Sequence, residues 1–292
     1  MELLYDAEAE WWARKSGDTM RDPRFKPCTS KKSLAQRFLH TILPTDPAPR
    51  LSALKHKFST MPAPTHLTPS ALGQKSYWDT AYTTELTNFS SNSSDLGTIW
   101  FSDANAEERM LSFLEDLSDE NALNKKDTRF LDLGTGNAHL LFALREDEWE
   151  GECVGVDYSG ESVRLAESIR DNKEVQVELY QWDILTQEPG TWLAGGFDVV
   201  LDKGTFDAIC LSQDTDMQGR RVCESYRARV EPLIKPGGRL LITSCNWTDE
   251  ELRAWFEGGE LVYVGKVKYP SFTFGGKTGS SVVTLCFQRK EA

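Results

Sequence analysis

No uninterrupted apolar run in this chain approaches the 18 residues that a membrane-spanning helix needs, so a protein that does not enter membranes is expected. No two cysteines form a C-x-x-C pair. The six, at 28, 153, 210, 223, 245 and 286, are scattered over 292 residues and read as reduced, mostly buried thiols. The four histidines are widely spaced, and no metal site is expected. The G-x-S-x-G elbow of hydrolases and the P-loop of nucleoside triphosphatases are both missing. The first residues, Met-Glu-Leu-Leu-Tyr-Asp with Glu8 and Glu10 close behind, lack the basic start and apolar core of a signal peptide. They also lack the acid-poor character of a transit peptide, which makes the cytosol the expected compartment.

What is present is unevenly spread. Eight of the 12 prolines fall within residues 1–70, among mostly polar neighbours, a composition that cannot build a core of its own. Residues 1–70 are therefore expected to be a disordered extension, with a short helix over Leu34–Leu43, and residues 71–292 the folded domain. Met61 leads directly into that domain and is a second candidate start. Residues 1–60 carry 11 Lys/Arg against 7 Asp/Glu, whereas residues 61–292 carry 22 against 38. So acidic a body repels phosphates and favours a basic partner, such as a lysine-bearing protein surface, over nucleic acid. A monomer is expected.

From residue 71 the periodicity tightens. Tyr77, Trp78, Tyr82, Leu86 and Phe89 recur at helical spacing, and a second helix is expected over 104–117. Strands at 129–133, 152–156, 175–181, 197–201 and 238–243 then alternate with helices at 137–145, 160–171, 218–230 and 248–256. Two last strands, near 260–268 and 280–288, read as an antiparallel hairpin on the sheet edge. The pattern predicts an α/β, doubly wound, Rossmann-like sheet of seven strands with that C-terminal hairpin.

Within it, Phe130-Leu-Asp-Leu-Gly-Thr-Gly-Asn-Ala-His-Leu-Leu-Phe142 is a strand, a tight loop and a helix start. Gly134 and Gly136 let the backbone turn and approach a ligand closely. A dinucleotide fingerprint needs glycine where His139 stands. The pattern acid-x-G-x-G-x-G fits better, with Asp132 leading and Ala138 in the third glycine place. It resembles the loop of S-adenosylmethionine methyltransferases, which puts Asp132, Gly134, Thr135 and Gly136 against that cofactor. Asp157 ends the next strand, 23 residues after Gly134, where its carboxylate suits ribose hydroxyls or caps the following helix. Tyr158 follows it. Asp183 and Ile184 end the third strand, where an acceptor for an adenine amino group and an apolar wall are needed.

Ligands in such sheets bind beyond the carboxyl ends of the strands. The strand 197–201 delivers Asp202, Lys203 and Phe206 to that edge, either as catalytic groups or as a surface turn with Asp207 capping a helix. Asp202 is the candidate polar group beside the reacting nitrogen and also a cofactor contact. The strand 238–243 delivers Asn246 and Trp247, as a substrate rim or, for Trp247, as core. Trp78, Trp100 and Phe101 are candidate covers for the cofactor or else core, and Trp100 is also a candidate substrate contact. No Asn-Pro-Pro-aromatic motif follows the fourth strand, which disfavours methylation of planar base nitrogens.

Ser76-Tyr-Trp-Asp79, Ile99-Trp-Phe101, Leu131-Asp-Leu-Gly-Thr-Gly-Asn137, Gly155-Val-Asp-Tyr-Ser159, Asp202-Lys-Gly-Thr-Phe-Asp-Ala-Ile209, Ile242-Thr-Ser-Cys-Asn-Trp-Thr248 and the Phe274–Gly279 loop closely resemble one family. It comprises the seven-β-strand protein-lysine methyltransferases that modify translation elongation factor 1-alpha, fungal members included. The likeness covers about residues 71–290, and the Asp-Lys-Gly-Thr-Phe-Asp and Ser-Cys-Asn-Trp-Thr stretches are its most specific parts. It implies a cytosolic enzyme that uses S-adenosyl-L-methionine to methylate a lysine of that factor. It also implies cofactor contacts at Asp132–Gly136, Asp157, Asp183 and Ile184, and a substrate edge at Asp202–Phe206 and Asn246–Trp247. Ala138 departs from the family's glycine, and the N-terminal extension has no counterpart in it. Three other readings compete: a methyltransferase of a small amine, a non-catalytic protein of the same fold, and a nicotinamide dehydrogenase. His139 and the terminal hairpin disfavour the last.

Overall fold

Phe-Leu-Asp-Leu at 130–133 is buried on both faces, so it forms a central strand rather than an edge. The computed structural model describes residues 65–270, 272–274 and 277–291. The expected extension up to residue 64, with the Leu34–Leu43 helix and Met61, lies outside them. In chain order the elements are helices α1 (Lys75–Ser91) and α2 (Ala106–Asp119), then β1 (Phe130–Leu133), α3 (His139–Glu146), β2 (Cys153–Asp157), α4 (Gly160–Lys173) and β3 (Glu178–Gln181). There follow β4 (Phe197–Lys203), α5 (Thr205–Cys210), α6 (Tyr226–Val230), β5 (Ile234–Ser244), α7 (Asp249–Phe256), β6 (Leu261–Lys266), β7 (Phe272–Phe274), β8 (Lys277–Gly279) and β9 (Val283–Arg289).

Seven strands form one sheet in the order β3-β2-β1-β4-β5-β9-β6, and β7 and β8 pair separately. β1 to β5 are mutually parallel, and β9 runs antiparallel to both β5 and β6. The expected seven-stranded, doubly wound sheet is therefore present. The expected antiparallel hairpin stands at the sheet edge as β6 and β9, with β9 inserted between β5 and β6 and β6 outermost.

Side chains alternate between two cores. Leu131, Leu133, Val200, Leu240 and Ile242 face α5, α6 and α7 through Phe206, Tyr226, Leu252 and Phe256. Phe130, Val199, Leu201 and Leu241 face α1 to α4 through Phe89, Met110, Leu141 and Leu165. Because both faces are covered, β4 reads as an apolar run without alternation.

The loop expected between the last two strands carries β7 and β8, and two helices also differ from expectation. The helix expected over 218–230 begins only at Val222, as a 3-10 turn ahead of the short α6. Residues 214–221 instead form a polar turn in which Asp216 accepts from the amides of Gln218 and Arg220, with Gly219 at φ 76°. Helix α5 was not expected. It exists because the Asp202 carboxylate accepts from the free amides of Thr205 and Phe206 at its start. At the other end of the described chain, Leu67 packs on the first core and Ser70 N donates to the Leu211 carbonyl.

Candidate active site

The sheet order reverses between β1 and β4, the switch point where open α/β sheets bind ligands. Register puts Leu133 level with Val156 and Asp202, so the ends of β1, β2 and β4 converge on one edge. The glycine loop lies there. Gly134 and Gly136 have φ of 65° and 59°, and a Cβ on them would stand 2.1 Å from Thr205 Oγ1 and 2.7 Å from the Tyr82 hydroxyl. Only bare backbone fits. Ala138 takes the same left-handed conformation, at φ 58°, in the place where the pattern has glycine.

Two buried acids fix this loop. Thr135 Oγ1 donates to Asp132 Oδ2 at 2.7 Å. The amides of Gly136 and Ser159 donate to Asp157 Oδ2 and Oδ1 at 3.1 and 2.9 Å. Burial pushes the Asp132 carboxyl up to about 7 and raises that of Asp157. Ser159 Oγ in turn donates to Asp79 of α1, and Lys75 pairs with the same carboxylate. Tyr158, half-buried, has the Lys75 ammonium 5.5 Å from its ring centroid. At the end of β3, Ile184 is buried, and half-buried Asp183 accepts from Leu185 N and Thr186 Oγ1.

An aromatic wall stands opposite. Trp78 stacks on Tyr82 at 6.1 Å and meets Trp100 edge-on at 5.5 Å. Its indole N–H is held by the Leu72 carbonyl. The Phe101 ring lies over Gly204, where a Cβ would come within 3.0 Å of it.

The residues expected at the reacting nitrogen are arranged differently. Asp202 is fully buried, and its carboxylate accepts from Thr205 N at 2.8 Å, Phe206 N at 3.1 Å and the Tyr226 hydroxyl at 2.6 Å. Burial pushes it up to about 7. Phe206 and Trp247 turn inward as well, into an aromatic cluster with Tyr226, Trp255 and Phe256. Asn246 stays half-exposed beside exposed Cys245. Lys203 Nζ donates to the Trp100 carbonyl at 3.1 Å and pairs with Glu107. Asp207, pushed by burial up to about 6, accepts from Ser244 Oγ and Cys245 N and so fixes the end of β5.

Thr205 stands at this edge within the expected Asp202–Phe206 stretch, whereas Tyr82 and Glu107 were not expected there. Tyr82 carried a signal, since it lies on the apolar face of α1. Glu107 did not, because only the packing of α2 brings it in. Among the described residues no group of His, Cys, Asp and Glu is arranged to hold a metal ion.

The methyltransferase-domain family matches residues 124–277 of the chain. Protein-lysine N-methyltransferase EFM4 of Saccharomyces cerevisiae is 42% identical over 226 residues, which span 77% of this chain and 97% of that protein. EEF1A lysine methyltransferase 2 of Homo sapiens is 37% identical over 223 residues, spanning 76% of this chain and 88% of that protein. Among solved structures, that of the (4+2)-cyclase SpnF superposes with a TM-score of 0.51 at 13% identity, covering 78% of this chain and 100% of that one. That last likeness concerns the fold.

Proposed function

The chain belongs to the protein-lysine methyltransferase family that includes EFM4 and EEF1A lysine methyltransferase 2, and on that premise we propose that it methylates a lysine of translation elongation factor 1-alpha. The observation that carries the reading is the 42% identity that runs through 97% of the yeast protein. The glycine loop supports it chemically.

The enzyme uses S-adenosylmethionine, and the residues present suit that ligand. Any side chain at Gly134 or Gly136 would fill the cradle, and two carboxylates lie buried beside it. Asp157 would accept from the ribose hydroxyls, with Ile184 and Tyr158 flanking the base and Asp183 taking its amino group. Asp132, Thr135 and Trp78 would face the methionine part. When bound, the cofactor supplies a methyl group on a sulfonium, ready for in-line displacement.

The protein's part is positioning and dehydration. A substrate lysine, with an ordinary pKa of about 10.4, must arrive neutral. An aromatic wall such as Trp78 and Trp100 disfavours its ammonium form by stripping water from it. No general base is required. Asp202 and Phe206 act from behind the site: the carboxylate holds the start of α5 and Tyr226, and the ring packs beneath. Asn246 is proposed on the substrate rim. A groove of about 760 Å³ beside α2 and α3, lined by Glu108, Glu115, Glu146, Asp147 and Glu148, suits a basic protein surface better than nucleic acid.

The catalytic domain is proposed as residues 71–292, monomeric and cytosolic, with Leu67 and Ser70 packed onto it and the residues before them an extension. Among the described residues no helix is long and apolar enough to cross a membrane.

The test is transfer of labelled methyl into an extract lacking this enzyme, read by mass spectrometry. Methyl-lysine on elongation factor 1-alpha is the expected result. Label only in small molecules would overturn the protein substrate.

A further inference from the structure

Glu107, in the first turn of α2, joins that helix to two other elements. Its Oε2 accepts from His139 Nδ1 at 2.6 Å, and its Oε1 lies 3.3 Å from Lys203 Nζ. His139 opens α3 directly after the glycine loop, and Lys203 closes β4 directly after Asp202. The three side chains are 11%, 29% and 13% exposed, so the pairing is shielded from the solvent that weakens surface ion pairs. Burial alone would raise the Glu107 carboxyl. The hydrogen bond from His139 and the charge of Lys203 outweigh it and hold the group below the ordinary carboxylate range.

Lys203 also donates to the Trp100 carbonyl, so the tie continues into the segment 97–105. That segment is under backbone strain: Phe101 and Asn105 are non-glycine residues at φ 63° and 51°. Surrounding contacts must hold it in place. Its near end is fixed by Asn137 of the glycine loop, whose Nδ2 donates to the Leu96 carbonyl at 2.8 Å.

We propose that Glu107 is a positioning residue for methyl transfer, tying the Trp100–Phe101 segment to the end of β4 through Lys203 and to the cofactor loop through His139. On this view Lys203 is an anchor and not a proton carrier. The part concerning turnover rests on the methyltransferase reading; the part concerning the segment does not.

The experiment pairs hydrogen exchange with steady-state kinetics on the full chain, using Glu107→Gln, which keeps the shape and removes the charge. The amides of Ser102, Ala104, Asn105 and Ala106, bonded within the segment, are expected to exchange about tenfold faster, while β1 and β4 keep their protection. With elongation factor 1-alpha as substrate, kcat is expected to fall about tenfold and KM for S-adenosylmethionine to stay within about threefold. Adding Lys203→Met to Glu107→Gln should cost little more than either alone. Unchanged exchange in the segment, unchanged kcat, or additive effects would each overturn the proposal. Glu107→Asp, too short to reach both partners, decides the matter by the same readouts if the Gln variant loses its core protection. Should the wild-type enzyme leave elongation factor 1-alpha unmodified, the functional reading fails, and the exchange measurement still judges the tie.

Discussion

Asp132, the next-to-last residue of β1, is almost fully buried, with its carboxyl pushed up to about 7. At pH 6 the group is mostly protonated, and at pH 8 mostly ionised. A ligand carrying a sulfonium and an ammonium prefers the ionised form, so its affinity should rise between those values, by at most about tenfold per pH unit for one group. Calorimetry at pH 6, 7 and 8 checks this, and Asp132→Asn should flatten the profile. A flat wild-type profile would remove Asp132 from the cationic part of the ligand. The acids themselves were legible in the sequence, because Asp132, Asp157 and Asp183 each fall at or just beside the end of one of three successive strands. The direction in which Asp202 turns was not. Gly204, at φ 94°, brings the amides of Thr205 and Phe206 back onto that carboxylate, and apolar spacing carries no trace of such a turn.

Among the elements, α7 was the easiest to read. Thr248-Asp-Glu-Glu251 is a capping box, and Thr248 Oγ1 accepts from Glu251 N while Glu251 Oε2 accepts from Thr248 N. Thr248→Ala should destabilise the protein by about 1 kcal/mol with cofactor affinity unchanged, as thermal unfolding and calorimetry would report. An unchanged melting temperature would mean that packing of Leu252 and Phe256 alone holds the helix. Helix α6 was harder, since the Asp216 turn competes for the same residues that helical spacing claimed. Position within the sheet was harder still. The hydrophobic pattern of β9 says that it is buried, but its neighbours are set by the register Ser244–Val283 to Arg239–Gln288 on one side and Leu261–Arg289 on the other.

For the molecule as a whole, three buried carboxyls near the carboxyl edge share one consequence. Asp132, Asp202 and Asp207 are raised by burial to about 7, 7 and 6, whereas unfolded aspartates titrate near 3.9. The folded state therefore holds more protons than the unfolded state between about pH 4 and 7. The stability this represents is present at the acid end and is lost as pH rises through the folded values. The ligand-free protein should melt at a higher temperature at pH 6 than at pH 8. The reverse order would show that these carboxyls are ionised in the free protein.

The sheet order also bears on synthesis. Among the described residues β6 pairs with β9 alone, which follows it in the chain by the length of β7, β8 and their loops. On the ribosome, Leu261–Lys266 therefore emerges as a strand without a partner, carrying exposed Val262 and Val264. At about 5–20 residues per second it waits a second or more for β9 to arrive. During that interval β5 and β6 both present open hydrogen-bonding edges.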